Sequence, residues 1–337
     1  MHRVFVFSCL ITVTAVLAVA SFAQSSRRAA TTQSATALAA TLPGSDTVAL
    51  VKVRRVLDEM LPKLLATNPA KLAEINAQIE NFKTRTGLDP RAFDELALGL
   101  KYEYPSPDVM KIATVAVARG DFNAAAMVAA GRGAGSGQYR EEKYQGKTIY
   151  VFTLNQQVRV LGLLDLRIRE LAVSALTNNT LALGDVTRVR SAIEASKGTR
   201  RSNTELITLA TQNPNAIVGF GGNFSPALLQ HLRIGNDAVA RDLASVRQVY
   251  GSVGMTDKDV EVLAAARTAD PNAARSLGST LEGLSAFAGL FTNRLPAAKA
   301  ALARSAVGNL KITVLGNDLQ LRTTVGQAEI APVVTGF

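Results

Sequence analysis

Short β-type runs come in pairs along this chain, and each pair is split by a tight link. Tyr139–Tyr144 and Lys147–Thr153 flank Gln145-Gly146, and Leu171–Leu176 and Thr180–Leu183 flank Asn178-Asn179. Val246–Met255 and Asp259–Arg267 flank Thr256-Asp-Lys258, and Leu310–Leu315 and Asp318–Val325 flank Gly316-Asn317. Leu96–Tyr104 and Val109–Arg119 are joined by Pro105-Ser-Pro-Asp108. Links this short impose antiparallel neighbours, because a parallel pair needs a crossover of about a dozen residues or more. The chain is therefore confined to hairpin-built sheets.

Helical patterns fill the intervals, which gives an α+β class. After the opening run Thr47–Val53, residues Val56, Leu57, Met60, Leu61, Leu64 and Leu65 make an apolar face, with a kink or break expected at Pro62. Asn68-Pro69 is a cap followed by a first-turn proline, Leu72, Ile75, Ile79 and Phe82 follow at helical spacing, and Gly87 is a stop. Phe122–Ala130 reads as an Ala-rich helix ending in the glycine-rich loop Gly131–Gly137. A helix runs from Asp185 to about Ser196, another opens at Ser225-Pro226, and Gln327–Val334 is a last short one. The region from Pro271 to about Ala306 is helical, with Pro296 marking a kink or a second start. Asp89, Asp121, Asp185 and Asp270 stand where helix caps belong.

The elements fall into two series of similar order, the second beginning near Asn213 with the short run Ala216–Gly221. At one point the residues also match. Ala116-Val-Ala-Arg119 leads into Asp121-Phe-Asn-Ala-Ala125, and Ala264-Ala-Ala-Arg267 leads into Asp270-Pro-Asn-Ala-Ala274. In each, a strand ends in Arg and an Asp opens an Ala-rich helix. The expectation is an internal duplication: two similar units, each an antiparallel sheet packed with helices, at 45–200 and 201–337, preceded by a signal peptide at 1–23 and a disordered leader at 24–44. This layout, with the opening strand Asp46-Thr-Val-Ala-Leu-Val-Lys-Val53, resembles uncharacterised exported bacterial proteins built from duplicated α/β units. The resemblance implies the fold outline and no functional residues.

His2 and Arg3, then apolar Val4–Ala20, then Ser21-Phe22-Ala23 before Gln24 follow the order of a secretory signal. The alternative is an uncleaved anchor, since Val4–Ala20 approaches the shortest length that spans a bilayer. Cys9 lies inside the apolar run rather than after it, so it does not fit a lipidated cysteine, and Arg27-Arg28 follows the run, the wrong side for a twin-arginine signal. Cleavage removes Cys9 and leaves His231 as the single histidine, which excludes disulfides, zinc–cysteine and Fe–S sites, and any site needing two histidines from one chain. His231, in Ala227-Leu-Leu-Gln-His-Leu-Arg233, reads as a helix-surface or interface residue.

Gly131–Gly137 fails as a phosphate loop, because Ser136 and Gln138 stand where a third glycine belongs and no Lys-Ser/Thr follows. Ser136 is not in a G-x-S-x-G elbow, and no Ser lies three residues before a Lys. Asp257 and Asp259 flank a turn too tight to supply a calcium shell. No tryptophan is present to stack on sugars. No catalytic, cofactor or metal residues are assigned. The net charge of +10 (+9 without Arg3) either serves solubility alone or draws the chain to anionic lipid or polysaccharide of the cell envelope, and in that compartment nucleic acid is not expected. Leu277, Leu281, Leu284, Ala288, Phe291, Leu295, Ala298 and Leu302 form an apolar stripe over 277–302, either packed on the chain's own sheet or open to self-association or a membrane surface. The leading expectation is a non-enzymatic binding or structural protein, periplasmic or secreted. The alternative is a hydrolase using carboxylates or a serine without histidine. The mature chain is expected to begin at Gln24, which intact mass of the exported protein checks; a mass that retains residues 1–23 would mean an anchor.

Overall fold

The computed structural model describes residues 36–86, 89–106, 109–134, 139–160, 164–199, 202–231, 237–286 and 295–335. Residues 1–23 (the expected signal segment), Arg27-Arg28, Gly135–Gly137 and residues 287–294 lie outside them. After β1 (Thr47–Val51) comes α1, a helical run made of an α turn Val53–Arg55, a π turn Val56–Met60 and an α turn Leu61–Leu64. Then follow α2 (Pro69–Thr86), β2 (Phe93–Ser106), β3 (Val109–Gly120), α3 (Ala124–Ala134), β4 (Tyr139–Tyr144), β5 (Lys147–Val160), β6 (Leu164–Thr177), β7 (Thr180–Gly184) and α4 (Val186–Ser196). The second half runs α5 (Thr204–Ala210), β8 (Val218–Asn223), α6 (Pro226–His231), α7 (Asp237–Ala244), β9 (Val246–Met255), β10 (Asp259–Thr268), α8 (Pro271–Ala286), α9 (Ala297–Gly308), β11 (Lys311–Leu315), β12 (Asp318–Gly326) and α10 (Gln327–Thr335).

All twelve strands form one antiparallel sheet in the order β11-β12-β10-β9-β8-β1-β2-β3-β7-β6-β5-β4. The fold is thus α+β, and the antiparallel sheets expected for the two halves are joined edge to edge through β1 and β8. That joint is five residue pairs long, from Thr47 opposite Gly222 to Val51 opposite Val218. Outward from it, β1-β2-β3-β7-β6 on one side and β8-β9-β10-β12-β11 on the other repeat one connection pattern. Arg119 and Arg267 occupy matching places: each sits at the end of its strand, opposite Glu95 or Gln248 on the neighbouring strand. Just beyond each, a backbone N–H (Gly120, Thr268) donates to the second turn residue of a hairpin (Asn179, Asn317).

One face of the sheet, here the front, carries α4, α5 and residues 36–42. Its core holds Leu38, Leu42, Val48, Val115, Val117, Ile149, Val151, Val189, Ile193 and Leu206. The back carries α1, α9 and α10 over Ile217, Val253, Val262 and Val325, α3 over Ala118, Val173 and Leu181, and α8 over Leu319 and Val246. On β8 the front-facing Gly219 and Gly221 lie directly under α5. A methyl on Gly219 would collide with the Ala210 carbonyl, and one on Gly221 would lie 2.6 Å from the Leu206 carbonyl oxygen.

Several expectations are corrected. The disordered leader over 24–44 does not hold for residues 36–44, where residues 36–39 make a helical turn and Leu38 and Leu42, one turn apart, are buried. Burying each such leucine contributes roughly 1.5–3 kcal/mol toward holding the segment against the sheet. At Pro62 the helix does not break. The turn before it widens, with the Leu61 N–H donating to the Val56 carbonyl, so the N–H that proline lacks is absorbed in a π turn. Helix α3 runs on through Gly131 and Gly133 to Ala134, because Arg132 is held in helical position over the Tyr139 and Tyr150 rings of β4 and β5. The cap of α3 is Asn123, which accepts from the Ala126 N–H, not Asp121; Phe122 turns inward to meet Phe93 edge-on. Asp185 precedes α4 without capping it, and its carboxylate accepts from the Thr114 N–H and hydroxyl of β3. Asp270 caps α8 as expected, and Asp89 caps the short turn Pro90–Ala92.

Because α5 rests on bare backbone at Gly219, Gly219→Ala should cost about 2–3 kcal/mol, the usual penalty for overpacking a close contact. Urea unfolding measures this, and an unchanged midpoint would refute the packing described.

Candidate anion-binding face

Alternation along β11 and β12 places every second side chain on the front. There they are Lys311, Thr313 and Leu315 on β11 and Asp318, Gln320, Arg322 and Thr324 on β12. Among the described residues no helix covers this part of the front face, since α4 lies over β3 and β5–β7, and α5 over β1, β8 and β9. Lys311, Thr313, Arg322 and Thr324 are exposed accordingly, and Leu315 is 60% exposed.

The inner margin of this face is a closed polar network. Arg267 reaches Asp318 with two nitrogens, Nε to Oδ1 at 2.8 Å and Nη2 to Oδ2 at 3.1 Å. Its Nη1 lies 3.3 Å from Gln248 Oε1 and 3.4 Å from Glu205 Oε1 of α5. The Tyr250 hydroxyl donates to Asp318 Oδ2 at 3.0 Å, and the Arg267 guanidinium sits over the Tyr250 ring. Burial, reinforced by the Asp318 charge, holds the Tyr250 phenol above its ordinary pKa, and the Asp318 hydrogen bond raises that of Arg267. Two carboxylates, Asp318 and Glu205, share the one guanidinium, and the network fixes β9, β10, β12 and α5 to one another.

The outer margin differs. Lys311 and Arg322 stand directly opposite one another across β11 and β12. Like charges in that position repel. Arg322 donates to Gln320 Oε1 at 3.0 Å, and no carboxylate of the described residues makes an ion pair with either cation. Thr313, Thr324 and Gln320 add neutral hydrogen-bonding groups beside them. An anion bridging the two cations would replace repulsion with two charge-assisted hydrogen bonds.

The other sequence candidates take structural places. His231 directs Nδ1 to the Ala227 carbonyl at 2.8 Å, and its ring lies 5.1 Å from that of Tyr104, an interface position. Asp257 meets Lys63 at 3.3 Å, and the Asp259 N–H donates to the Thr256 hydroxyl. No group of three or more potential metal-ligating side chains gathers among the described residues. The apolar stripe over 277–302 belongs to two helices. Leu277 is buried, Leu281 and Leu302 pack on the sheet, Leu284 is 44% exposed, and Ala288 and Phe291 lie outside the described residues. A cleft between α5 and β1 encloses about 30 Å³, and Glu95, the single carboxylate in its lining, is paired with Arg119 at 2.6 Å. Arg188, 8% exposed, donates to the Ser45 hydroxyl, and burial lowers its pKa. No helix of the described residues is long and apolar enough to cross a membrane.

The sequence matches no protein-family model and no curated protein. Among solved structures, crystal form III of the Treponema protein TP0453 aligns over 89% of this chain and 98% of its own, at 11% identity and a TM-score of 0.45. Crystal form I of TP0453 aligns over 89% and 96%, at 12% identity and a TM-score of 0.43.

The network predicts a graded response. Tyr250→Phe removes the hydroxyl that donates to Asp318 and accepts a long hydrogen bond from Gln320, and should cost about 1 kcal/mol. Arg267→Met strands the Asp318 carboxylate and should cost about 2 kcal/mol or more. Chemical denaturation of both variants checks the order, and equal costs would mean that the guanidinium is not the hub.

Proposed function

We propose that this protein is a non-enzymatic binding protein of the cell envelope. The uncovered front face of β11 and β12 contacts anionic groups, phosphate or carboxylate, on a lipid or polysaccharide surface. The observation that carries the reading is Lys311 held opposite Arg322 on an open face, with no ion-pair partner among the described residues. Two facing cations lower the stability of the hairpin they sit on, and an anion recovers that loss. The chain's excess of positive charge would add long-range attraction to such a surface. The contact is surface-wide rather than a pocket, in keeping with the small cleft beside α5.

Sedimentation with phosphatidylglycerol vesicles, with an acidic polysaccharide and with phosphatidylcholine vesicles tests the reading and separates the two sources. Retention by at least one anionic material and not by the neutral vesicles is expected, with loss at high salt because exposed charges are screened. Lys311→Glu with Arg322→Glu should abolish retention. Equal retention on neutral and anionic material, or an unaffected double variant, would sink the proposal.

A further inference from the structure

The two edges of the sheet are built differently. The outer strand β4 is Tyr-Arg-Glu-Glu-Lys-Tyr, with charges at Arg140, Glu141, Glu142 and Lys143. Charges on an edge strand deter pairing with another chain. The opposite edge, β11, is Lys-Ile-Thr-Val-Leu, with one charge at its first residue and an exposed leucine at its last.

We infer that β11 is a self-association edge: a second copy of this chain pairs antiparallel with it about a two-fold axis at Thr313. In that register Thr313 faces Thr313, Ile312 faces Val314 and Lys311 faces Leu315, so the central three pairs match hydroxyl with hydroxyl and apolar with apolar, and no like charges meet. The length suffices by the molecule's own example, since the β1–β8 joint unites the two halves of the sheet with the same number of residue pairs. Specific interfaces bury roughly 1,200–2,000 Å², more than one strand pair supplies, so the helix above must contribute. Helix α8 is suited to this. Arg275 and Glu282, two turns apart on one side, are both exposed. Gly278, between them, lies over β11 one residue from Thr313, where an added Cβ would sit 3.1 Å from Val314 Cγ2. The same two-fold axis therefore brings Arg275 of each copy toward Glu282 of the other. Both faces keep their sides under this operation, so the two Lys311–Arg322 pairs share one continuous front surface. The inference stands independently of anion binding.

Sedimentation equilibrium of the purified chain should show a monomer–dimer equilibrium. Thr313→Lys sets two ammonium groups face to face at the axis and should raise Kd roughly tenfold or more. Arg275→Glu should weaken the dimer and Arg275→Glu with Glu282→Arg should restore it, so the test survives if the strand variant folds poorly by circular dichroism. In a Cys9→Ser background, Thr313→Cys should oxidise to a linked dimer, while Thr324→Cys, one strand inward on the same face, should not. A chain monomeric at its highest soluble concentration, or a dimer indifferent to both Thr313→Lys and Arg275→Glu, overturns the inference.

Discussion

The structure depends on five antiparallel residue pairs between β1 and β8. Without them the two halves would be separate sheets, each with one more bare edge. The joint is held from both sides: α1 packs against its back, and α5 is seated directly on the glycines of β8. Side-chain-free contact leaves α5 no freedom to slide, and α5 in turn delivers Glu205 to Arg267. The polar network of the second half is thus tied to the joint through one short helix.

From there outward the two halves diverge in how they are covered. On the first half, α4 follows β7 and lies on the front. On the second, α10 follows β12 but packs at the back beside α1 and α9. The front of β11 and β12 therefore lacks the cover that its counterpart has, and it carries Lys311, Gln320 and Arg322 where β6 and β7 carry Ala172, Ala182 and Gly184. Exposure and composition agree, which makes the open face a property of the sequence and not an accident of packing. If the halves arose by duplication, the divergence lies in where the last helix goes.

Much of this was legible in the residues. Tight links identified five of the hairpins, and the Arg119 and Arg267 match located equivalent strand ends. The Lys311–Arg322 pair was also within reach, because a two-residue turn at Gly316-Asn317 fixes Leu315 opposite Asp318 and hence every pair beyond it. What remained hidden depends on distant packing. Glycines in Val218–Asn223 look like strand breakers until α5 is laid on them. Asp121 looks like a better cap than Asn123 until Phe122 is drawn into the core. Residues 36–44 look like part of a polar leader because Leu38 and Leu42 find their partners in helices far along the chain. The open face itself could not be read, since periodicity reports which side chains share a side and not what lies above them.

The joint also orders events in time. Val51 and Val218 are partners separated by well over a hundred residues of chain, so β1 leaves the ribosome long before β8 exists. β2 can close one side of β1 early, but the other side stays open until nearly two-thirds of the protein has emerged. During that interval the strand meant for the middle of the sheet is an edge, rich in valine and leucine and without a charge. Such an edge is prone to wrong pairing, and long-range closure is slow. The fold therefore places its greatest exposure to misassembly at its own centre, and the first half of the chain must wait, protected or undisturbed, for the second.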